Sequence, residues 1–318
     1  MMSTSCSRPI TALLFTALLV IGLSANPGGA ISSPSLPLRV PDSEWLPLYR
    51  RWDRGLQAQL EQALNQEILW HELIVQGKLA VGLVDLADPR LPRFARVNGD
   101  TMMYAASLPK IAILLAAFQS FEDGSLQETP QIKTDMIEMI RRSDNFAASQ
   151  VVARIGLGKI ERIILEPRYG FYDMGKGGGI WVGGSFARDG QLNPDPLKNL
   201  SQAATVNQVC RFYYLLAYGK LINPERSRQM LKILAFPDLH DKFVSVLEGF
   251  VAPNYLYRKS GEFGICYSDS ILVWDRAWRR YILVALVEHQ RGEEILRKLV
   301  TKVEHILRRQ SLDNARTH

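Results

Sequence analysis

Strand-like segments lie at both ends of this 318-residue chain, and the long stretch between them is patterned for helices. Residues 78–87 (KLAVGLVDLA) are rich in Val and Leu and read as a strand. Residues 93–97 (RFARV) alternate and read as a second strand, closed by the turn Asn98-Gly99-Asp100. Three more strand patterns cover residues 255–260, 270–274 and 281–288. The stretch Trp278-Arg279-Arg280 separates the last two and suits a hairpin. From residue 111 to about 221 the pattern is mostly helical, and residues 111–118 are apolar on every side, as in a helix buried all round. A helix capped by Asp42 or Ser43 and running to about Gln66 precedes the first strand, and an amphipathic helix over 293–309 follows the last. Early and late strands most simply join one sheet. The expected fold is therefore an α/β chain (an α+β sandwich). It has a five-stranded antiparallel sheet flanked by terminal helices, with an inserted all-helical lobe. The sheet lobe takes residues 42–106 and 251–310, and the helical lobe takes 107–250.

Hydrophobic residues make up 47% of the chain and charged residues 22%, which excludes disorder and low complexity. Residues 1–30 hold no Asp or Glu, and Arg8 is their only charge. An apolar run from Ile10 to Leu23 follows it, and then small residues, Ala25 and Ala30 among them. This is the pattern of a signal peptide ending at Ala25 or Ala30. The run is short for a membrane span, which takes about 20 residues. Residues 31–318 are then expected as one secreted or periplasmic domain, a monomer, touching a membrane only if the leader stays on as an anchor. The net charge of +6 is modest for the length, and export counts against a nucleic-acid partner. Beyond Cys6 the chain has Cys210 and Cys266, which could pair after export or stay as two thiols.

Three short motifs carry chemistry. The first is Ser107-Leu108-Pro109-Lys110, where the early strands hand over to the buried helix. Pro109 suits a first helical turn, which puts Ser107 at the helix start and Lys110 one turn on, on the same face. A serine hydroxyl needs a base, and a lysine desolvated by its surroundings can serve. The second is Ser143-Asp144-Asn145, where a second hydroxyl can relay a proton and an amide can hold a substrate amide. All three residues also suit the cap of the helix expected over 146–155. The third is Lys259-Ser260-Gly261 at the end of a strand, where an ammonium and a hydroxyl can bind a carboxylate and a glycine admits substrate close to the backbone.

Each motif occurs once, in this order and in fitting context, and together they form the signature of class A β-lactamases and penicillin-binding proteins. The chain resembles that superfamily of active-site serine hydrolases over about residues 42–310. The resemblance extends to residues 250–261 (FVAPNYLYRKSG), which look like the approach to the Lys-Ser/Thr-Gly strand, and to residues 203–221, which look like the helix after the Ω-loop. It implies a catalytic cleft between sheet and helical lobe, with no metal and no organic cofactor. It implies Ser107 as nucleophile, Lys110 as its activator and Ser143 as proton relay. Asn145 would hold the substrate amide, Lys259 and Ser260 its carboxylate, and Gly261 would line the site. The backbone N–H groups of Ser107 and Glu262 would form the oxyanion hole. The implied activity is opening of a β-lactam or related amide through an acyl-enzyme on Ser107. The alternatives are a DD-peptidase or transpeptidase acting on a peptidoglycan-like peptide, or a penicillin-binding sensor with slow or no deacylation.

The chain departs from the family pattern in three places. The stretch matching the Ω-loop, residues 175–187 (GKGGGIWVGGSFA), lacks the Glu that activates the deacylating water in class A β-lactamases. Glu166, Glu262 and Asp189 are the candidate substitutes. Ser107 and Ser143 are closer in sequence than in class A enzymes, so part of one cleft wall is missing. The arginine usual on the strand after Lys-Ser/Thr-Gly is absent, and alternation sends Arg258 to the face opposite Lys259. The glycine-rich stretch has no G-K-[ST] or G-x-G-x-x-G pattern and reads as a loop at the cleft rim rather than a phosphate loop. The five histidines form no metal-ligand spacing.

Overall fold

The first two α-helices are α1 (Arg54–Asn65) and α2 (Ile68–Val75), and Asp53 caps the first by accepting from Leu56 N at 2.7 Å. The computed structural model describes residues 35–184, 186 and 192–316, within one compact unit, Ser33–His318. The leader, its two cleavage points, Cys6 and Asp189 lie outside the described residues. The first helix starts later than the composition of residues 42–66 suggests. Extended backbone at Pro47, which has no N–H to give a helix, leaves only a short 3₁₀ turn, Leu48–Arg51, before it.

Strands β1 (Leu79–Asp85) and β2 (Arg93–Val97) form a hairpin, and β3 (Met103–Tyr104) leads to the Ser107 turn. Helices α3 (Lys110–Glu122), α4 (Pro130–Arg141), α5 (Asn145–Ile155) and α6 (Leu157–Leu165) build the inserted lobe. That lobe is not all helical. It holds β4 (Tyr172–Asp173), β5 (Gly178–Gly179), β6 (Trp181–Val182) and β7 (Gln202–Ala204). The glycines of residues 175–184 disfavour helix and let these short segments pair edge to edge. Then come α7 (Val206–Ala217), α8 (Pro224–Leu234) and α9 (Val244–Leu247). Strands β8 (Leu256–Phe263), β9 (Cys266–Trp274) and β10 (Arg280–Glu288) follow, and α10 (Gly292–Arg316) closes the chain.

The main sheet has five antiparallel strands in the order β2-β1-β10-β9-β8. Early and late strands therefore join, as the sequence pattern requires. Alternation sorts their side chains into two cores. Ala80, Val84, Ile282 and Val284 face the inserted lobe. Leu79, Val81, Leu83, Leu283 and Ala285 face α1 and α10. A sheet covered on both faces explains why 78–87 reads as a continuous apolar run. Helix α7 lies directly on β1, where a Cβ on Gly82 would come within 2.6 Å of Cys210 Sγ. Both Cys210 and Cys266 are free thiols, with Cys210 buried in this contact.

Strands β8 and β9 are longer than their apolar cores. They meet in a tight hairpin at Gly264, whose φ of +60° favours glycine. The polar pair Ser268-Asp269 hides the start of β9 in sequence, yet both are buried, as is Ser270. Ser268 Oγ donates to Ala105 O at 2.8 Å and Ser270 Oγ to Lys259 O at 2.8 Å. Asp269 takes two hydrogen bonds from Arg258, at 2.8 and 2.7 Å, and one from Phe243 N at 3.0 Å. Arg258 also reaches Leu239 O at 2.7 Å and the Asp241 carboxylate. Burial opposes the Arg258 charge, but Asp269 and Asp241 outweigh it and hold its pKa above the ordinary arginine value. Arg258→Met strands a fully buried Asp269 without its cation. The expected loss is about 3–5 kcal/mol of folding stability, read by urea unfolding at neutral pH. Asp269→Asn/Arg258→Met together recover part of it.

Candidate active site

The turn carrying Ser107 is held from three sides. Ala105 N donates to Gln202 O on β7 at 2.9 Å, Ser268 Oγ donates to Ala105 O, and Leu108 N returns to Ala105 O at 3.0 Å. These contacts impose a left-handed backbone on Ala106, with φ of +49°. A residue with a Cβ adopts that conformation only where its surroundings compel it. Ser107 follows, partly exposed, two residues before the N-cap Pro109 of α3. Lys110 is the first residue of α3 and fully buried, and its N–H donates to Ser107 O at 3.2 Å.

The Lys110 ammonium ties this turn to the loop between α4 and α5. Its Nζ donates to Ser143 O at 2.7 Å and to Asn145 Oδ1 at 2.7 Å, with Asp144 O at 3.4 Å. Ser143 also takes a left-handed conformation, with φ of +57°. Asp144 caps α5, its Oδ1 accepting from Ala147 N at 2.6 Å. The cap and the site thus share one tripeptide: Asp144 serves the helix while Ser143 and Asn145 face Lys110.

From the sheet side, Lys259 Nζ donates to Ser143 Oγ at 2.9 Å and to Ser260 O. Lys259 is 1% exposed. Ser143 therefore stands between two buried lysines. Burial pushes Lys110 down to about 7, against the pull of Asp144. Burial, reinforced by the nearby Lys110, lowers Lys259 well below the ordinary lysine range. Two such cations around one hydroxyl disfavour double protonation.

Strand β8 is the edge of the main sheet. Its Gly261 presses on the Ser107 turn: a Cβ there would lie 2.5 Å from Ala105 O and 2.6 Å from Ser107 N. Only glycine permits this approach, which brings the backbone of β8 against the Ser107 N–H. Ser260 is buried to 4% exposure. The Glu262 carboxylate accepts from Lys242 Nζ at 2.9 Å, and Lys242 also donates to Asp241 at 2.7 Å.

The structure brings Ser107, Lys110, Ser143, Asn145, Lys259 and Gly261 to one junction of turn, helix loop and strand edge, with Ser260 and Glu262 on the same strand. Glu166 is elsewhere. It caps the end of α6 and pairs with Arg168 at 2.6 Å, and Arg168 reaches Gln119 on α3. Gln119 is nine residues along that helix from Lys110, about 13 Å of rise. The sequence reading passed over two residues. Phe186, from the loop matching the Ω-loop, places its ring centroid 4.5 Å from Lys110 Nζ. Its signal was faint, a lone aromatic between Ser185 and Ala187. Lys242 was also missed, since a lysine beside an aspartate in a loop looks solvated.

The model of the beta-lactamase enzyme family matches residues 59–138 and 132–308. No curated protein matches the chain. Among solved structures, PBP-A is similar at 19% identity and a TM-score of 0.59, covering 86% of this chain and all of that one. A point mutant of PBP-A, in an acyl-enzyme complex with penicillin G, aligns with the same identity and score over 83% of this chain and all of that one. A variant of the class A β-lactamase of the last common ancestor of Gram-negative bacteria aligns at 15% identity and a TM-score of 0.58. It covers 82% of this chain and 99% of the other. These likenesses show the fold, an antiparallel sheet with an inserted helical lobe. With a family model spanning most of its length, the chain belongs to the beta-lactamase enzyme family.

Proposed function

We propose that this chain is an exported serine hydrolase in which Ser107 opens a β-lactam or related amide, forming an acyl-enzyme that water removes slowly. Residues 1–30 serve as the leader, and residues 31–318 form the catalytic domain. The observation that carries the reading is the Lys110–Ser143–Lys259 array, assembled beside Ser107 from three separate elements.

Neutral Lys110 takes the Ser107 proton as the oxygen attacks the carbonyl carbon. The tetrahedral oxyanion is met by the N–H groups of Ser107 and Glu262, a reading supported by the close approach of Gly261 to Ser107 N. Ser143 passes a proton to the leaving nitrogen, and the C–N bond breaks. Asn145 holds the side-chain amide of the substrate. A substrate carboxylate near Ser260 brings the counter-charge that Lys259 lacks, and so favours the protonated lysine on binding.

Slow deacylation follows from what covers Lys110. Its hydrogen-bond partners among the described residues are two carbonyls and one amide oxygen, and an aromatic ring lies over it. Glu262 is engaged by Lys242, and Glu166 is at the far end of α3. No carboxylate among the described residues is hydrogen-bonded to Lys110 or Lys259. The same observation favours the penicillin-binding or DD-peptidase alternative over rapid lactam turnover.

The acylation rate tests the base. Lys110 acts unprotonated, and its folded-state pKa is lowered to about 7. Acylation by a fluorescent penicillin should rise about tenfold per pH unit below that value and level off above it. An unshifted lysine would put the rising limb near 10.4. A profile still climbing at pH 9 would contradict a base whose pKa is lowered to about 7.

A further inference from the structure

A cavity of about 1000 Å³ opens at the other edge of the sheet, beside β2 and the start of α7. Neither Ser107, Lys110, Ser143 nor Lys259 lines it. Strands β2 and β8 are separated by three strands, so the two sites are about 19 Å apart across the sheet. The volume is that of a site for a small organic molecule.

Three cations border the cavity: Arg96, Lys176 and Arg211. Arg96 faces Asp100 at 3.7 Å and Lys176 pairs with Asp173 at 3.0 Å. Arg211 has no carboxylate partner among the described residues. Its Nη1 is spent on backbone, donating to Tyr169 O and to Gly170 O at 3.2 Å, with Gln208 Oε1 at 3.4 Å. Its Nε and Nη2 make no hydrogen bond among the described residues. Those two nitrogens form the forked edge of a guanidinium, the edge that takes a carboxylate with two parallel hydrogen bonds. The group is held in place by the Phe171 ring, 5.2 Å from the guanidinium carbon. Burial, with no acid to offset it, lowers the Arg211 pKa from its ordinary value. A half-buried cation with its bidentate edge unused, at the wall of a cavity, offers an anion a two-point contact.

The rest of the wall describes the body of that anion. Leu48, Phe94 and Pro167 line the cavity, and Tyr49, Leu165 and Met174 stand exposed at its border. We infer that this cavity is a second binding site, which takes a small organic carboxylate with an apolar body, its carboxylate on Arg211 and its body against Tyr49, Leu165 and Met174.

The test is calorimetric titration of the full-length protein with 1-naphthylacetate, and with 1-naphthylacetamide as its uncharged counterpart. The carboxylate should bind one site per chain, and the amide about tenfold or more weakly. Arg211→Gln should weaken the carboxylate at least about tenfold and leave the amide unchanged. Arg211→Lys, which keeps charge but loses the fork, should fall between. Tyr49→Glu sets a carboxylate at the exposed border without touching the core, and should weaken 1-naphthylacetate while the thermal melt stays at the wild-type value. If Arg211→Gln fails to fold, Tyr49→Glu decides. Equal affinity for acid and amide, no binding by either, or wild-type affinity in both Arg211→Gln and Tyr49→Glu would overturn the assignment. The last outcome would put the ligand elsewhere, such as beside Lys259.

Discussion

Ser107→Ala should leave the fold intact and remove all covalent labelling by penicillins. The hydroxyl is partly exposed and makes no hydrogen bond among the described residues, so its loss takes no support from the Ser107 turn. That turn is fixed instead by the backbone of Ala105 and by Ser268. Loss of a nucleophile acting with its base costs about 10⁶-fold in rate, which places the variant below detection. The check is intact-mass spectrometry after incubation with a reactive lactam, beside a thermal melt. The melt should match wild type and the adduct should vanish. An adduct of undiminished yield in the variant would mean another residue is acylated.

The second large effect concerns Phe186. Its ring occupies the space over Lys110, where a carboxylate could instead hold a water against the acyl carbonyl. Phe186→Glu puts an acid there. Burial raises a carboxyl's pKa while a neighbouring lysine lowers it, and the ionised form is the general base. A placed general base contributes about 10²–10⁴-fold. Deacylation, measured as decay of the adduct, should speed up by about 10²-fold, with acylation changed far less. The new charge should also raise the Lys110 pKa and shift the rising limb of the acylation profile upward. If adduct decay is unchanged while that limb moves, the carboxylate sits beside Lys110 but cannot reach the water.

Much of this arrangement was legible in the sequence because the residues that build it are local. Ser107 and Lys110 lie within one helical turn, the patterns of β1 and β10 are near-continuous apolar runs, and that of β2 alternates. Ser143-Asp144-Asn145 reads in sequence both as a helix cap and as a candidate site; Asp144 caps α5, while Ser143 and Asn145 accept from Lys110 Nζ. What was not legible depends on contacts between distant segments. The start of β9 is hidden because Ser268 and Asp269, just before the expected strand, are polar, and only their partners on β8 and the Ser107 turn make them a buried strand. The short strands of the inserted lobe were missed because two- or three-residue pairings leave no periodicity to read. Phe186 is not legible in the sequence because its contact with Lys110 comes from an apolar ring that folding brings over the lysine. Arg211 gave no signal at all, since an unused guanidinium edge is a property of the folded wall and not of α7.

An acyl-enzyme that forms on Ser107 and persists is the central species of the proposed reaction, and its lifetime is the most direct test. Purified protein mixed with excess nitrocefin should show a stoichiometric burst of colour, as the ring opens and stays bound to Ser107, and then nearly stop. Intact mass should show one adduct per chain, which peptide mapping assigns to Ser107, and which outlasts the burst. Steady turnover at the burst rate, with no adduct accumulating, would contradict the account.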